Sequence, residues 1–238
     1  MAQFHTPAHT TRNRFWPLLV LMCAVFGVAM WFTLQGIAQL PGVYSTQNAG
    51  NEQSAHQGSE PWNLLLVNDS HPLPQSFSIN TTEMPGGERV DTRIAEPLSE
   101  LFDACKEAGY SPFVRSGFRT RAQQEAILKS RIEDYKAEGM DAKDARQAAL
   151  DWVAEPGTSE HELGLAVDIN DKNNDQNMYD WLAEHAHEYG FIQRYPSEKS
   201  SVTGISHEPW HYRYVGVEAA TAMWKQGITL EEYLEEQG

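Results

Sequence analysis

The sequence is poor in cysteine and in positive charge, and both shortages narrow what it can be. Two cysteines occur in 238 residues, Cys23 inside an apolar run near the start and Cys105 far along the chain in a stretch of helical spacing. So separated a pair makes neither an ectodomain disulfide nor a cysteine-rich metal site. Lysine and arginine number 18 against 33 acidic residues, for a formal charge of −15. Residues 1–39 hold Arg12 and Arg14 and no acid, which leaves −17 on residues 40–238. Affinity for nucleic acid comes largely from cationic side chains displacing counterions, so no nucleic-acid partner is expected. Internal repeats are also lacking. What is present in quantity is apolar: 41% hydrophobic residues, 11% aromatic and seven tryptophans, the composition of a folded domain able to bind a ligand.

The N-terminus speaks to compartment. Residues 15–34 read FWPLLVLMCAVFGVAMWFTL, an uncharged and mostly apolar run of the length, about 20 residues, that crosses a bilayer core as a helix. Arg12 and Arg14 precede it and the next basic residue is Arg89. The positive-inside rule therefore predicts a cytoplasmic N-terminus and everything after the run outside the cell. A cleaved signal peptide, with an apolar core of about 7–15 residues, is the rival reading. Residues 40–60 are polar and rich in Gly, Ser, Asn and Gln, which reads as a flexible spacer. The expected organisation is a cytoplasmic stretch at 1–14, a single transmembrane anchor at 15–38, a linker at 39–60 and one folded domain at 61–238.

Within that domain, residues 62–68 (WNLLLVN) predict a buried strand or an extended segment along the core. Residues 93–108 carry helical spacing and stop at Gly109. Residues 113–116 predict a strand. Thr120 with Gln123 forms a capping box that opens a helix near Arg121. Further helices are expected over 141–154 and 178–189, strands over 165–169 and 210–215, and two short helices at the end, the last opened by Thr229 with Glu232. Helices and strands interspersed without regular βαβ repetition favour an α+β fold with a small antiparallel sheet flanked by helices.

Two groups of residues carry chemistry. Asp168 is a carboxylate in the apolar run Leu165-Ala166-Val167-Asp168-Ile169, and burying it demands a cation, a hydrogen-bond network or a metal. His161 lies seven residues earlier, beyond Gly164, and read alone the pair also fits a buried Asp held by a basic side chain. The second group is Glu208-Pro209-Trp210-His211. In a regular strand Glu208 and His211 would face opposite ways, so Pro209 and a turn are expected to bring them together. Two His and one Asp satisfy a catalytic zinc, which takes three protein ligands and keeps one position for water. His207 is an alternative ligand by proximity. His185 and His187, two apart on a helix, make a poor chelate, and the polar run 171–177 lacks the central Gly and terminal Glu of a Ca²⁺ loop.

Together, Ser159-x-His161-x-x-Gly164-x-Ala166-x-Asp168 and Glu208-x-x-His211 resemble the metallo D-alanyl-D-alanine carboxypeptidases of the VanY type, related to VanX dipeptidases and L,D-carboxypeptidases. Ser116-Gly117-Phe118-Arg119 is similar to that family's SGYR-like segment, with Phe where Tyr is usual, and the likeness runs over residues 62–216. The resemblance implies the zinc D,D-peptidase fold and one Zn²⁺ ion held by His161, Asp168 and His211. It implies Glu208 as general base, Arg119 as the cation that binds substrate and meets the oxyanion, and Ser159 and Gln124 as further substrate-binding residues. The implied partner is a peptidoglycan stem peptide ending in D-Ala-D-Ala, the reaction is removal of its last residue, and a contribution to glycopeptide resistance would follow. The chain is taken as monomeric. L,D-carboxypeptidase action on tetrapeptide stems, a non-catalytic wall-peptide module with a structural metal, and an amidase or endopeptidase remain as alternatives. A serine mechanism is not supported, because no Ser-x-x-Lys motif is present.

Overall fold

A computed structural model describes residues 61–237. The expected cytoplasmic stretch, anchor and linker at 1–14, 15–38 and 39–60 lie outside the described residues. Among the described residues, no helix is long and apolar enough to cross a membrane.

The first regular elements among the described residues are a hairpin of β1 (Thr81–Glu83) and β2 (Arg89–Asp91), then α1 (Ala95–Glu107), β3 (Pro112–Ser116), α2 (Arg121–Ala137) and α3 (Ala142–Leu150). A one-turn helix α4 (Glu160–Leu163) leads into β4 (Ala166–Asp171), followed by α5 (Asn177–His185), β5 (Phe191–Tyr195) and the short α6 (Ser200–Thr203). The long strand β6 (Glu208–Tyr214) and helices α7 (Val217–Gln226) and α8 (Leu230–Gln237) complete the order. The main sheet is wholly antiparallel, in the order β3-β4-β6-β5, so the α+β expectation holds for the described domain.

Side-chain alternation gives this sheet two different faces. Val167 and Ile169 of β4, Tyr212 of β6 and Phe191 of β5 join the main core with Leu98, Leu101, Phe102 and Cys105 of α1 and Met178 and Leu182 of α5. Leu98 and Leu101 are completely buried; truncating either to Ala in such a site costs about 2–5 kcal/mol. The residues between, Asp168 on β4, His211 and Arg213 on β6 and Arg194 on β5, fall on the other face. The polar chemistry is thus collected on one side of a sheet whose other side is locked by helices. Cys105 sits in the core with its thiol pushed up to about 12, burial being the main cause and Asp171 adding to it, which leaves it unreactive.

Local signals explain most of the boundaries. Thr120 and Gln123 close a capping box in both directions at the start of α2, and Thr229 and Glu232 do so at α8. The expected 178–189 helix is α5 plus a 3₁₀ turn over Ala186–Tyr189, ended by Gly190 at φ 84°.

Three expectations need correction. The strand reading of residues 62–68 fails, since they join neither sheet: residues 62–64 form a turn in which the Leu64 N–H donates to the Pro61 carbonyl at 2.9 Å, and the segment lays Leu65 and Val67 against the main core and Leu64 and Leu66 against a second cluster formed by Ile192, Val215 and residues of α7 and α8. The 141–154 helix stops at Leu150, because the chain turns there to tuck Val153 against Ala149 and Leu128. The hairpin β1-β2 and strand β5 were not among the expected elements, since three-residue strands and a strand holding a buried arginine leave little alternating pattern to read.

Candidate metal centre

The pairing of β4 with β6 sets Asp168 directly opposite His211. His161 reaches the same point from α4, whose first turn is capped by Ser159: its Oγ accepts from the His161 N–H at 3.3 Å. Gly164 ends that turn in the left-handed region at φ 77°, which glycine adopts without the strain a side chain would bring. Glycine at 164 is therefore what allows a helical turn to feed a strand within three residues and keeps His161 above Asp168.

The three side chains converge. Asp168 Oδ1 lies 3.2 Å from His211 Nδ1 and 3.4 Å from His161 Nε2, and one ligand atom from each residue lies within 4.8 Å of the others. The imidazole rings meet edge to face at 4.9 Å. His161 Nδ1 sits 2.8 Å from the Gly117 carbonyl; donation there leaves the Nε2 lone pair facing Asp168. Gly117 is required for this approach, since a Cβ would fall 2.2 Å from the Arg89 carbonyl oxygen on β2. Both histidines are buried, and Asp168 Oδ1 is buried with no hydrogen-bond partner among the described residues.

Surrounding groups hold the trio in place. Arg119 donates from Nη2 to Asp168 Oδ2 at 3.3 Å, from Nε to Ser116 Oγ at 3.0 Å and from Nη1 to Gln124 Oε1 at 3.2 Å. Its own N–H donates to the His161 carbonyl at 3.1 Å. Gln124 is buried and spends its amide on both sides, accepting from Arg119 and donating to the Ala154 carbonyl at 2.9 Å. It reaches the centre through Arg119. Glu208 Oε2 stands 3.6 Å from His211 Nδ1.

Glu208 and His211 both belong to β6, which corrects the expectation of a turn between them. A step of two residues along β5, from Gln193 to Tyr195, faces a step of four along β6, from Tyr212 to Glu208. At this irregularity the regular alternation is interrupted, and Glu208 and His211, three apart, come within reach of each other. His207 lies outside the centre, with Nδ1 3.0 Å from the Tyr195 carbonyl, and His185 and His187 pack on Trp181 and Trp224.

The electrostatics suit a divalent cation. Burial opposes ionisation of Asp168, but His161 and His211 outweigh it and hold the group well below the usual carboxylate range. Burial, with help from the charge of Arg119, holds His161 near 4, a neutral imidazole with a lone pair to give. Burial would lower His211 too, yet its contacts with Asp168 and Glu160 and the charges of Asp168 and Glu208 push it up to about 9. Glu208 is raised to about 7, chiefly by burial, in the range where a carboxyl group both takes and returns a proton. Two nitrogens and one carboxylate oxygen aimed at one point, with that oxygen otherwise unpartnered, fit a zinc ion with an open fourth position.

Sequence reading passed over Glu160, which lies between Ser159 and His161. It is fully buried, accepts from Arg194 and Arg213, and has Oε2 3.7 Å from His211 Nε2. The signal was available: Arg194 and Arg213 each interrupt an apolar strand, and a buried guanidinium demands a carboxylate.

Residues 87–217 match the family model described as VanY, D-alanyl-D-alanine carboxypeptidase. A D-alanyl-D-alanine carboxypeptidase of Enterococcus faecalis is 48% identical over 182 residues, covering 75% of this chain and 68% of that protein. Among solved structures, VanYB in complex with D-alanine-D-alanine aligns at a TM-score of 0.73 with 46% identity, over 75% of this chain and all of that one. A vancomycin resistance D,D-pentapeptidase VanY from a VanB-type cassette, solved in complex with Zn(II), aligns at 0.71 with 48% identity over 73% of this chain and 99% of that one.

Proposed function

The chain belongs to the VanY family of zinc D-alanyl-D-alanine carboxypeptidases, and from that premise we propose how its residues divide the work. His161, Asp168 and His211 hold one Zn²⁺ ion, Glu208 is the general base, Arg119 binds and stabilises, and Ser159 and Gln124 complete the substrate side. The single observation that carries this reading is the unpartnered Oδ1 of Asp168 with a nitrogen of each histidine 3.2 and 3.4 Å away.

A bound zinc ion supplies Lewis acidity at this point, activating water and polarising the peptide carbonyl. Glu208, at the edge of the trio, accepts the proton of the attacking water and returns it to the departing amine, so one carboxyl group serves both halves of the reaction. Arg119 sits beside Asp168 as a fixed cation, and its three side-chain anchors hold the guanidinium where negative charge develops on the carbonyl oxygen. Gln124 contributes by locking that guanidinium. Ser159 fixes the turn that carries His161, and in this reading its role toward the substrate backbone follows from that position beside the ligand.

The substrate in this reading is a peptidoglycan stem peptide ending in D-Ala-D-Ala, cleaved to release the last residue. We further propose that the apolar segment 15–38, preceded by Arg12 and Arg14, anchors the enzyme in the cell membrane with the catalytic domain outside, where that substrate is found. Trimming the terminus that glycopeptide antibiotics bind would then contribute to resistance.

The test is turnover of pentapeptide and tetrapeptide stems by the purified protein, with products weighed before and after chelation. Loss of one alanine from the pentapeptide, abolished by chelator and restored by Zn²⁺, is expected. Cleavage confined to the tetrapeptide would instead identify L,D-specificity, and binding without cleavage a non-catalytic module. Glu208→Gln should lower kcat by about 10²–10⁴-fold while zinc content stays at one per chain; turnover near wild type would remove Glu208 from its role.

A further inference from the structure

Behind the zinc ligands lies a second, fully buried charge cluster that the reaction does not touch. Glu160 has no exposed side chain, and its Oε1 accepts from Arg194 Nε and Arg213 Nη1, both at 2.9 Å. Each guanidinium is otherwise engaged. Arg194 spans both oxygens of Glu231 on α8, at 2.9 and 2.6 Å. Arg213 donates to the carbonyls of Leu65, Asn63 and Tyr214. All the donors are therefore directed to one oxygen of Glu160 or away from it.

The other oxygen, Oε2, is buried without a hydrogen-bond partner among the described residues, and so is His211 Nε2. These two orphans face each other at 3.7 Å, about 0.8 Å beyond an ordinary N–H···O bond. Buried polar atoms are rarely left unsatisfied, and here two complementary ones are aimed at each other. The opposite nitrogen of the same ring, Nδ1, is the one beside Asp168 Oδ1. One imidazole thus bridges two carboxylates, with its metal-facing nitrogen on one side and its N–H on the other.

We propose that Glu160 is a positioning residue for the metal, accepting the Nε2–H of His211 and so fixing that ring with Nδ1 presented to the zinc ion. Carboxylates that accept the far N–H of a ligating histidine set its tautomer and raise its basicity. Arg194 and Arg213 aim Glu160 by occupying its Oε1, and Glu231 in turn holds Arg194, which ties helix α8 to a metal ligand through four side chains. This rests on His211 being a ligand, as proposed above.

Zinc affinity of the full-length protein, measured by competition with a chromogenic chelator, tests it. Glu160→Gln should weaken zinc binding by about 10–100-fold and shift the visible spectrum of the Co²⁺-substituted protein. Glu231→Gln, which breaks the same cluster two steps farther from His211, should leave affinity and spectrum close to wild type even if it lowers the melting temperature. Should Glu160→Gln fold and bind zinc within twofold of wild type, the inference is overturned. If that variant does not fold, the zinc-loaded wild type decides: nitrogen-15 spectra should show His211 protonated at Nε2 with a slowly exchanging proton, and a proton on Nδ1 or fast exchange would overturn the proposal. Unchanged zinc binding in His211→Ala would instead bring down the ligand assignment on which it stands.

Discussion

Strand β4 carries an aspartate at each end of one short run, and the two are treated in opposite ways. Asp171 is saturated by backbone: its Oδ1 accepts from the Ser111 N–H at 2.6 Å and its Oδ2 from the N–H groups of Asn173 at 2.6 Å and Asp175 at 3.2 Å. Asp168, three residues earlier, gives Oδ2 to Arg119 and leaves Oδ1 buried and unpartnered among two imidazoles. Residue type and strand are shared, so the difference lies in what each carboxylate still has to offer. A satisfied one closes a turn; an unsatisfied one is a ligand waiting for a cation, because a buried lone pair without a partner costs free energy until something meets it.

The sharpest way to break this contrast is to neutralise each acid in turn. Asp168→Asn should reduce zinc affinity by more than the roughly 100-fold upper range seen for outer-shell partners and take turnover below detection. Asp171→Asn should leave both close to wild type. Chelator competition on the two variants checks it, and equal loss of zinc from both would mean that the turn, not the orphaned oxygen, governs the site.

A smaller effect follows from linkage. Zinc that binds the folded state alone stabilises it by about 2.7 kcal/mol when present at 100 times its dissociation constant. Wild type and Asp171→Asn should both melt higher in zinc than in chelator, whereas Asp168→Asn should show little difference. A zinc-independent melting temperature in the wild type would argue against a preformed site.

How much of this was legible in the sequence depended on distance along the chain. The capping boxes at Thr120 and Thr229 and the stop at Gly190 were readable because each is set by residues within one turn. Asp168 stood out because a charge inside LAVDI has few bland explanations. The convergence itself was not readable from the residues alone: Asp168 and His211 meet only because β4 pairs with β6 in one register, and a one-residue slip would put them on opposite faces. Resemblance supplied that link. Glu208 and His211 were expected to need a turn, whereas both lie in β6 where its register with β5 is irregular, and such irregularities leave no reliable mark in a single sequence. Glu160 was missed for a related reason. Its meaning depends on Arg194 and Arg213, which lie on two later strands and become neighbours only in the folded sheet.

The smallest expected effect concerns Asp171 and acid. Burial by itself would raise its pKa, but the N–H groups of Ser111, Asp175 and Asn173 outweigh that and draw it below the ordinary carboxylate value. A carboxyl group with a depressed folded-state pKa contributes stability that is fully present above its unfolded value, about pH 4, and is lost as pH falls through the folded one. Asp171→Asn should therefore lower stability by about 1.5–3 kcal/mol at neutral pH, the range for hydrogen bonds to a charged group. It should also make the fall in stability below about pH 4 shallower than in wild type, because the variant has no proton to take up at that position. Denaturant melts from pH 3 to pH 7 in the presence of chelator read this without interference from the metal, and the titration of Asp168, common to both proteins, drops out of their difference. Parallel curves for the two proteins would show that the backbone N–H groups around residue 171 hold the turn without needing a charge, and the contrast between the two ends of β4 would then rest on Asp168 alone.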